Sequence, residues 1–356
     1  MSMRVTVRGA GIVGLAVAEE LLRRGHHVRV IDPAPAQGAS FAAAGMLSPA
    51  AEVWHGEDDV LRLGLASLAL WPDFARRLGV RLQDSGTLLV GADAGDLQQV
   101  DRQVDLLARH GVRVEAWDRR QVTAHEPSLA RVGGGAWVPG EGSVDPRHVC
   151  AALLQRVPVE AEEAGDAWSA DVTVLATGSA LPEPHRHLVR GVRGEILRLR
   201  TDDPPTRTVR GWVAGEPVYL VPRPTGSDGR SEVVVGATTE EHDDAPVVTA
   251  GGVLRLLAAA RVLWPALDRA ELVEATARDR PGTLDGLPVI GPSGHPGEFL
   301  AGGHHRHGVL LAPLTARLVA DALEADEADS VIDPTVDPRR FTSHESGESH
   351  ALHLQR

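Results

Sequence analysis

Three glycines, Gly9, Gly11 and Gly14, stand in the spacing G-x-G-x-x-G, and an acid, Asp32, follows eighteen residues after the last of them. This spacing serves to hold a dinucleotide by its pyrophosphate. Gly9 allows a tight turn, Gly11 lets the backbone approach the phosphates, and Gly14 lets a helix pack closely on its strand. Ile12 and Val13 open that helix, whose N-terminal N–H groups then face the phosphate charge. Asp32 is placed to accept hydrogen bonds from an adenosine ribose, and its charge repels a 2'-phosphate, which disfavours a phosphorylated nicotinamide. The unit alone does not separate NAD from FAD. A second run, residues 38–49, is nearly free of bulk and includes Ser40, Ala43, Ala44, Gly45 and Met46. It reads either as backbone lying against a flat, extended ligand or as a small-residue helix packed in a core. Farther on, His304, His305 and His307 surround Arg306. A metal site and plain surface polarity are both open for them, and a structural zinc site is not expected beside a single cysteine.

These residues need elements to position them. Val5 and Val7 alternate with polar neighbours as a strand, 12–23 follows as an apolar helix, and 27–31 is a second strand ending at Asp32. Helical spacing runs over 61–78 with Gly79 as its stop, and again over 95–110. Strands are predicted at 86–90, 112–116 and 171–175, with Asp145 capping a helix between the last two. From Arg193 to about Arg278 short alternating stretches predict a mostly antiparallel sheet, with a hairpin loop at 226–231. An apolar helix is predicted over 309–323, with Pro313 in its first turn. The last residues, 342–356, read as a polar, disordered tail. The fold class is therefore α/β, α+β overall: a Rossmann-like nucleotide domain joined to a second, mainly antiparallel-sheet domain.

Composition bounds the partners. A chain of 356 residues, 43% hydrophobic and 24% charged, has ample material for two folded domains. A formal charge of -13 argues against nucleic acid and against an anionic membrane. All 36 basic residues are arginine, and no lysine is present to form a Schiff base or to bind phosphate. The single cysteine, Cys150, forbids an intrachain disulfide and fits a reducing cytoplasm. The apolar stretch 10–18 is broken by glycines and runs straight into Glu19 and Glu20, so it reads as a folded segment rather than a signal peptide. No run has the 18 or so apolar residues of a membrane helix.

Several motifs carry a family resemblance. Segment 38–49, Ser67-Leu68-Ala69-Leu70-Trp71-Pro72, Asp84-Ser85-Gly86-Thr87-Leu88, Gly140 to Arg147, and Ala176-Thr177-Gly178 all contribute. Stronger are Arg280-Pro281-Gly282-Thr283-Leu284-Asp285-Gly286, continuing to Gly291 and matching R-P-x-T-x-D-G-x-P-x-I-G, and Gly303 to Gly308, close to G-H-aromatic-R-N-G. With these the chain resembles the D-amino-acid-oxidase superfamily of FAD-dependent oxidoreductases, and within it the glycine oxidases of the ThiO type. The resemblance implies non-covalent FAD along Gly9, Gly11, Ile12, Val13, Gly14, Asp32, Ser40, Ala43, Ala44, Gly45 and Met46. It implies a second approach at Ala176, Thr177 and Gly178, an adenine contact at Val159, and Gly303, Arg306, His307, Gly308, Val309 and Leu310 at the flavin.

The same resemblance implies Arg280, Tyr219 and Arg306 as catalytic residues. Arg280 holds the substrate carboxylate, Tyr219 hydrogen-bonds it, and Thr239, Gly303 and His305 lie beside the substrate. A guanidinium suits the anchoring role because it grips a carboxylate bidentately and stays charged when desolvated. His305 and His307 depart from the family's aromatic and asparagine, and the stretch 150–171 is short for the family. The implied domains are 1–78, 140–190 and 278–335 for FAD, and 79–139 and 191–277 for substrate. The implied reaction is oxidative deamination of glycine or another small amine, giving an imine, then glyoxylate and ammonia, with oxygen reduced to hydrogen peroxide and the imine feeding thiazole synthesis for thiamine. A cytoplasmic location and a homo-oligomer go with it. Without lysine, a cationic His304, His305 or Arg306 is the expected promoter of the reaction with oxygen. D-amino-acid oxidase, sarcosine oxidase, a dehydrogenase, and a non-catalytic FAD-binding subunit remain open.

Overall fold

The computed structural model describes residues 2–163, 168–242, 244–325 and 332–344. Its nucleotide half is a six-stranded sheet centred on Arg4–Arg8, which pairs in parallel with His27–Ile31 on one side and Val172–Leu175 on the other. Glu298–Gly302 continues the parallel set, and Val289–Pro292 closes that edge antiparallel to it. Val5 and Val7 are wholly buried, as are Leu15 and Leu21 of helix Ile12–Arg23 and Val319 of helix Gly308–Glu324. Burial of this apolar face against the sheet is what holds the half together.

The other half is an eight-stranded sheet in the order 271–282, 190–201, 231–236, 216–222, 208–213, 87–91, 134–138, 115–118. All its pairings are antiparallel except that of Thr208–Val213 with Thr87–Gly91. Side chains alternate between its faces. Leu197, Val209, Leu220 and Val235 point to one face and form a core under helix Ala250–Leu263, with Leu256, Leu263 and Trp264. Ile196, Tyr219 and Val234 occupy the opposite face, against Ala42, Ala44 and Met46 of the nucleotide half. The two halves therefore meet across that second face.

Several sequence expectations change here. Helix Ala250–Leu263 lies where only short strands were expected. Its apolar residues Val253, Leu256, Leu257, Ala260 and Leu263 keep a helical period, and Thr249 caps it by accepting from the Gly252 N–H at 3.0 Å. The 61–78 helix is two, Asp58–Leu68 and Trp71–Leu78, with Pro72 in the first turn of the second; Gly79 is its stop, at φ 71°. The strand expected at 112–116 is Glu115–Asp118, because the Val112 N–H is spent on the Leu107 carbonyl at the preceding helix end. Pro313 is the sixth residue of its helix and so lies in the second turn, not the first. The strand bearing Arg280 belongs to the large sheet up to Gly282, past the boundary expected at 278. A 3₁₀ helix, Pro338–His344, reaches into the expected tail, of which 345–356 lie outside the described residues. No helix among the described residues is long and apolar enough to cross a membrane.

Candidate active site

A cavity of about 760 Å³ runs between the halves, within the size range of sites for large organic ligands, roughly 300–1,000 Å³. Its nucleotide end is built from the glycine turn. Gly9 holds φ 104°, and a Cβ there would stand 2.3 Å from the Ala176 carbonyl oxygen, so the turn and the Ala176-Thr177-Gly178 segment pack backbone to backbone. Asp32 braces the turn by accepting from the N–H groups of Ala10, at 2.6 Å, and Ala34, at 2.8 Å. Ser40 accepts from the Ile12 N–H at 3.0 Å, tying the small-residue run to the helix N-terminus. Gly9, Gly11, Ile12, Val13, Asp32, Ser40, Ala43, Ala44, Gly45, Met46, Ala176, Thr177 and Gly178 all line the cavity. A backbone-walled channel, a helix N-terminus and a terminal carboxylate fit the pyrophosphate and ribose of FAD.

The large sheet forms the opposite wall. In its register Arg210 faces Tyr219, Tyr219 faces Gly236, and Gly236 faces Ile196, so these four form one row. The Tyr219 ring lies across Gly236, and burial pushes its phenol pKa up. Two residues along from Ile196, the Arg280 guanidinium lies on Gly194, where a Cβ would stand 2.3 Å from both terminal nitrogens. One of those nitrogens donates to the carbonyls of Thr238, at 3.2 Å, and Arg193, at 3.3 Å, which leaves a planar fork held on the cavity wall. Thr239, His305 and Arg306 line the same space.

Arg306 is tied down on one side, donating to Glu57 at 2.6 Å and to the Glu52 carbonyl at 3.1 Å. Glu52 itself is buried in the wall, and desolvation pushes its carboxyl pKa up despite Arg210, Arg306 and Arg280 nearby. The segment bearing Glu52 and Trp54 is anchored by Glu141, one oxygen of which accepts from the N–H groups of Ala50, at 2.7 Å, and Ala51, at 3.0 Å. Burial pushes the Glu141 carboxyl up to about 7. His304 shares a hydrogen bond with Thr315 at 2.8 Å. Burial lowers His304 to about 4, and burial followed by the neighbouring arginines lowers His305 to about 4 and holds His307 well down as well. These imidazoles are therefore neutral at pH 7. The expectation of a cationic His304 or His305 is corrected: of the three candidates, only Arg306 carries charge. No cluster of metal-ligating side chains occurs among the described residues.

Five expected cofactor or substrate residues stand behind the wall. Gly14 packs on the Gly9 carbonyl, where a Cβ would stand at 2.0 Å, and Val159 pairs with Val30 at the sheet edge. Gly303 turns at φ 70° against Thr283, and His307 is enclosed at the end of the 3₁₀ turn His305–His307. Leu310 turns its carbonyl to Ser67 and Trp71, which donate at 2.6 and 2.9 Å. Gly308 and Val309 do line the cavity. Arg210, Glu52 and Trp54 were not foreseen. The available signal was a charged residue amid apolar strand residues, Val209-Arg210-Gly211-Trp212-Val213, and a lone acid in a small-residue run.

Comparison with known proteins agrees with this geometry. Residues 4–322 match the model of the DAO family, FAD dependent oxidoreductases. The chain is 34% identical to a thiamine biosynthesis oxidoreductase, ThiO, of Rhizobium etli, over 91% of this chain and 98% of that protein. It is 31% identical to the glycine oxidase of Geobacillus kaustophilus, over 91% of this chain and 93% of that one. The crystal structure of glycine oxidase from Geobacillus kaustophilus superposes with a TM-score of 0.81 at 29% identity, covering 94% of this chain and 98% of that chain.

Proposed function

Since the chain belongs to the DAO family of FAD-dependent oxidoreductases, we propose that it oxidises glycine, or a comparably small amino acid, to the imine. The observation that carries this reading is Arg280, a guanidinium laid flat on Gly194 and opening onto the same cavity as the glycine turn. Arg280 binds the substrate carboxylate, and the Tyr219 hydroxyl, whose proton burial retains, donates a further hydrogen bond. Held at that end, the amine-bearing carbon would be fixed within the cavity in which FAD would bind, with Thr239 and His305 lining the space around it. FAD, when bound, supplies the two-electron acceptor and passes the electrons to oxygen, which leaves as hydrogen peroxide.

The imine either hydrolyses to glyoxylate and ammonia or is consumed in thiazole synthesis, a role supported by the likeness to the Rhizobium etli protein. Non-covalent FAD fits the position of Cys150, which is buried in the core of the nucleotide half, with its thiol pushed up to about 12, and does not line the cavity. The lone buried thiol also suits a cytoplasmic protein, and a homo-oligomer is the proposed assembly. The test is anaerobic mixing of holoenzyme with glycine, sarcosine and D-alanine while the flavin band is followed. Bleaching by glycine is expected. A flavin that none of the three bleaches would overturn the reading.

A further inference from the structure

Four arginines are buried among the described residues: Arg193, Arg198, Arg210 and Arg223. Three of them each donate to acceptors, although the Nε of Arg198 and of Arg223 and one Nη of Arg198 have no hydrogen-bond partner among the described residues. Arg193 donates to Asp279 and to the carbonyls of Asp244 and Ala245, Arg198 to Glu232, and Arg223 to the carbonyls of Ala44 and Val144. Arg210, 7% exposed, is the exception. Its nearest carboxylate oxygen, on Glu52, stands 3.8 Å away, beyond hydrogen-bond distance, and alone of the four its guanidinium makes no hydrogen bond among the described residues. Its other neighbour is the face of Trp212, 5.8 Å from the guanidinium carbon to the ring centroid. A buried guanidinium left without acceptors is costly unless an anion completes it.

The place of Arg210 says which anion. It lines the cavity in the row of Tyr219, on the same sheet face as the Arg280 guanidinium over Gly194. Three strand steps separate the Arg210 strand from the Gly194 strand on which the Arg280 guanidinium lies, about 14 Å at the usual spacing, and both guanidinium groups stand within electrostatic reach of Tyr219 and of Glu52. We propose that Arg210 is a second anion subsite of this cavity, which takes small amino diacids with one carboxylate on Arg280 and the other on Arg210. The second carboxylate belongs either to a substituent on the amine nitrogen or to the side chain. Glu52 is a poor counter-ion for Arg210, because its own burial disfavours its charged form.

The inference rests on Arg280 as the first anchor, and its test is binding, so it can fail or succeed whatever the enzyme oxidises. Holoenzyme is titrated with matched monoacid and diacid ligands that carry no amine, and the shift of the flavin absorbance is read. Methoxyacetate against diglycolate probes the nitrogen-side carboxylate, and propionate against succinate probes the side-chain one. In at least one pair the diacid is expected to bind tenfold or more tightly, and Arg210→Met to bring that ratio close to one. The pair that shows the ratio identifies the source of the second carboxylate. Equal binding within both pairs, or a ratio that survives Arg210→Met, overturns the proposal. Should Arg210→Met fail to retain flavin, Glu52→Gln decides, because freeing Arg210 of its neighbour must hold or raise the ratio and a fall overturns the subsite.

Discussion

Tyr219 lies across the α-carbon of Gly236, its register partner on the next strand, so closely that a Cβ on residue 236 would stand 2.3 Å from the phenolic oxygen and 2.5 Å from the carbon bearing it. Arg280 and Gly194 repeat the arrangement on the adjoining strands. In both pairs a glycine, Gly194 inside its strand and Gly236 at the end of its own, clears floor for a side chain that lies flat along the cavity wall. The two proposed substrate anchors are thus positioned by what their neighbours lack.

Adding one methyl group at either glycine should therefore act on the site through its anchor. Gly236→Ala lifts Tyr219 and Gly194→Ala lifts Arg280, and overpacking of this kind typically costs about 1 to 3 kcal/mol. We expect kcat/KM for glycine to fall by roughly five- to 150-fold in each variant, while the FAD content of the purified protein stays near one per chain. Activity at the wild-type level in Gly194→Ala would mean that the Arg280 guanidinium does not need its seat.

Removing the anchor itself should be more severe. Arg280→Ala deletes a charge-assisted contact from a partly dry wall, a loss of about 2 to 5 kcal/mol, so kcat/KM for glycine should fall roughly thirty-fold to several thousand-fold. Arg280→Lys should recover little, since a point charge does not reproduce a planar fork laid on backbone. Steady-state peroxide release measures both, and a near-normal Arg280→Ala enzyme would move the anchor to another cation of the wall.

The glycine turn and the Arg280 motif were legible as cavity wall because each is local: the residues that line the cavity are close in sequence and their types follow from the chemistry proposed for them. Arg210 and Glu52 were not legible, because what matters in them is a missing partner. A strand arginine reads as solvent-exposed until the nucleotide half packs over that face of its sheet and no hydrogen-bond acceptor arrives. The three histidines misled for a related reason. Their charge depends on burial, which spacing does not reveal, and the packing around His304 and His307 leaves both nearly without solvent. Helix Ala250–Leu263 was hidden by Gly251 and Gly252 at its start, where the Thr249 cap outweighs their low helix propensity.

Glu141 makes stability depend on pH in an unusual direction. Its carboxyl rises from 4.5 to about 7 on folding, so between those values the folded chain holds a proton that the unfolded chain has released. Stability is then greatest below about 4.5, falls as pH rises to about 7, and is level above that, with a total change on the order of 3 kcal/mol from this group. Glu141→Gln keeps an acceptor for the N–H groups of Ala50 and Ala51 and removes the titration. Denaturant midpoints across pH 5 to 8 should show the variant gaining on the wild type as pH rises. A constant difference between the two curves would place the Glu141 carboxyl in the ordinary range.

The histidines give the last test, and it bears on how this chain works without lysine. His304 and His305 are held to about 4, chiefly by burial, and His307 lower than its ordinary value for the same reason. A group whose folded pKa lies near 4 is neutral throughout pH 5.5 to 9, so neither His304 nor His305 is expected to supply a cation to the reaction with oxygen. Labelled-histidine NMR of the holoenzyme should show the His304 and His305 ring signals unmoved over that interval. The pH profile of kcat/KM for glycine should be the same in His305→Gln as in the wild type through pH 6 to 8. A His305 signal that titrates near pH 6.5 would restore the imidazolium as promoter. Its absence leaves Arg306, a permanent cation, as the one to remove next.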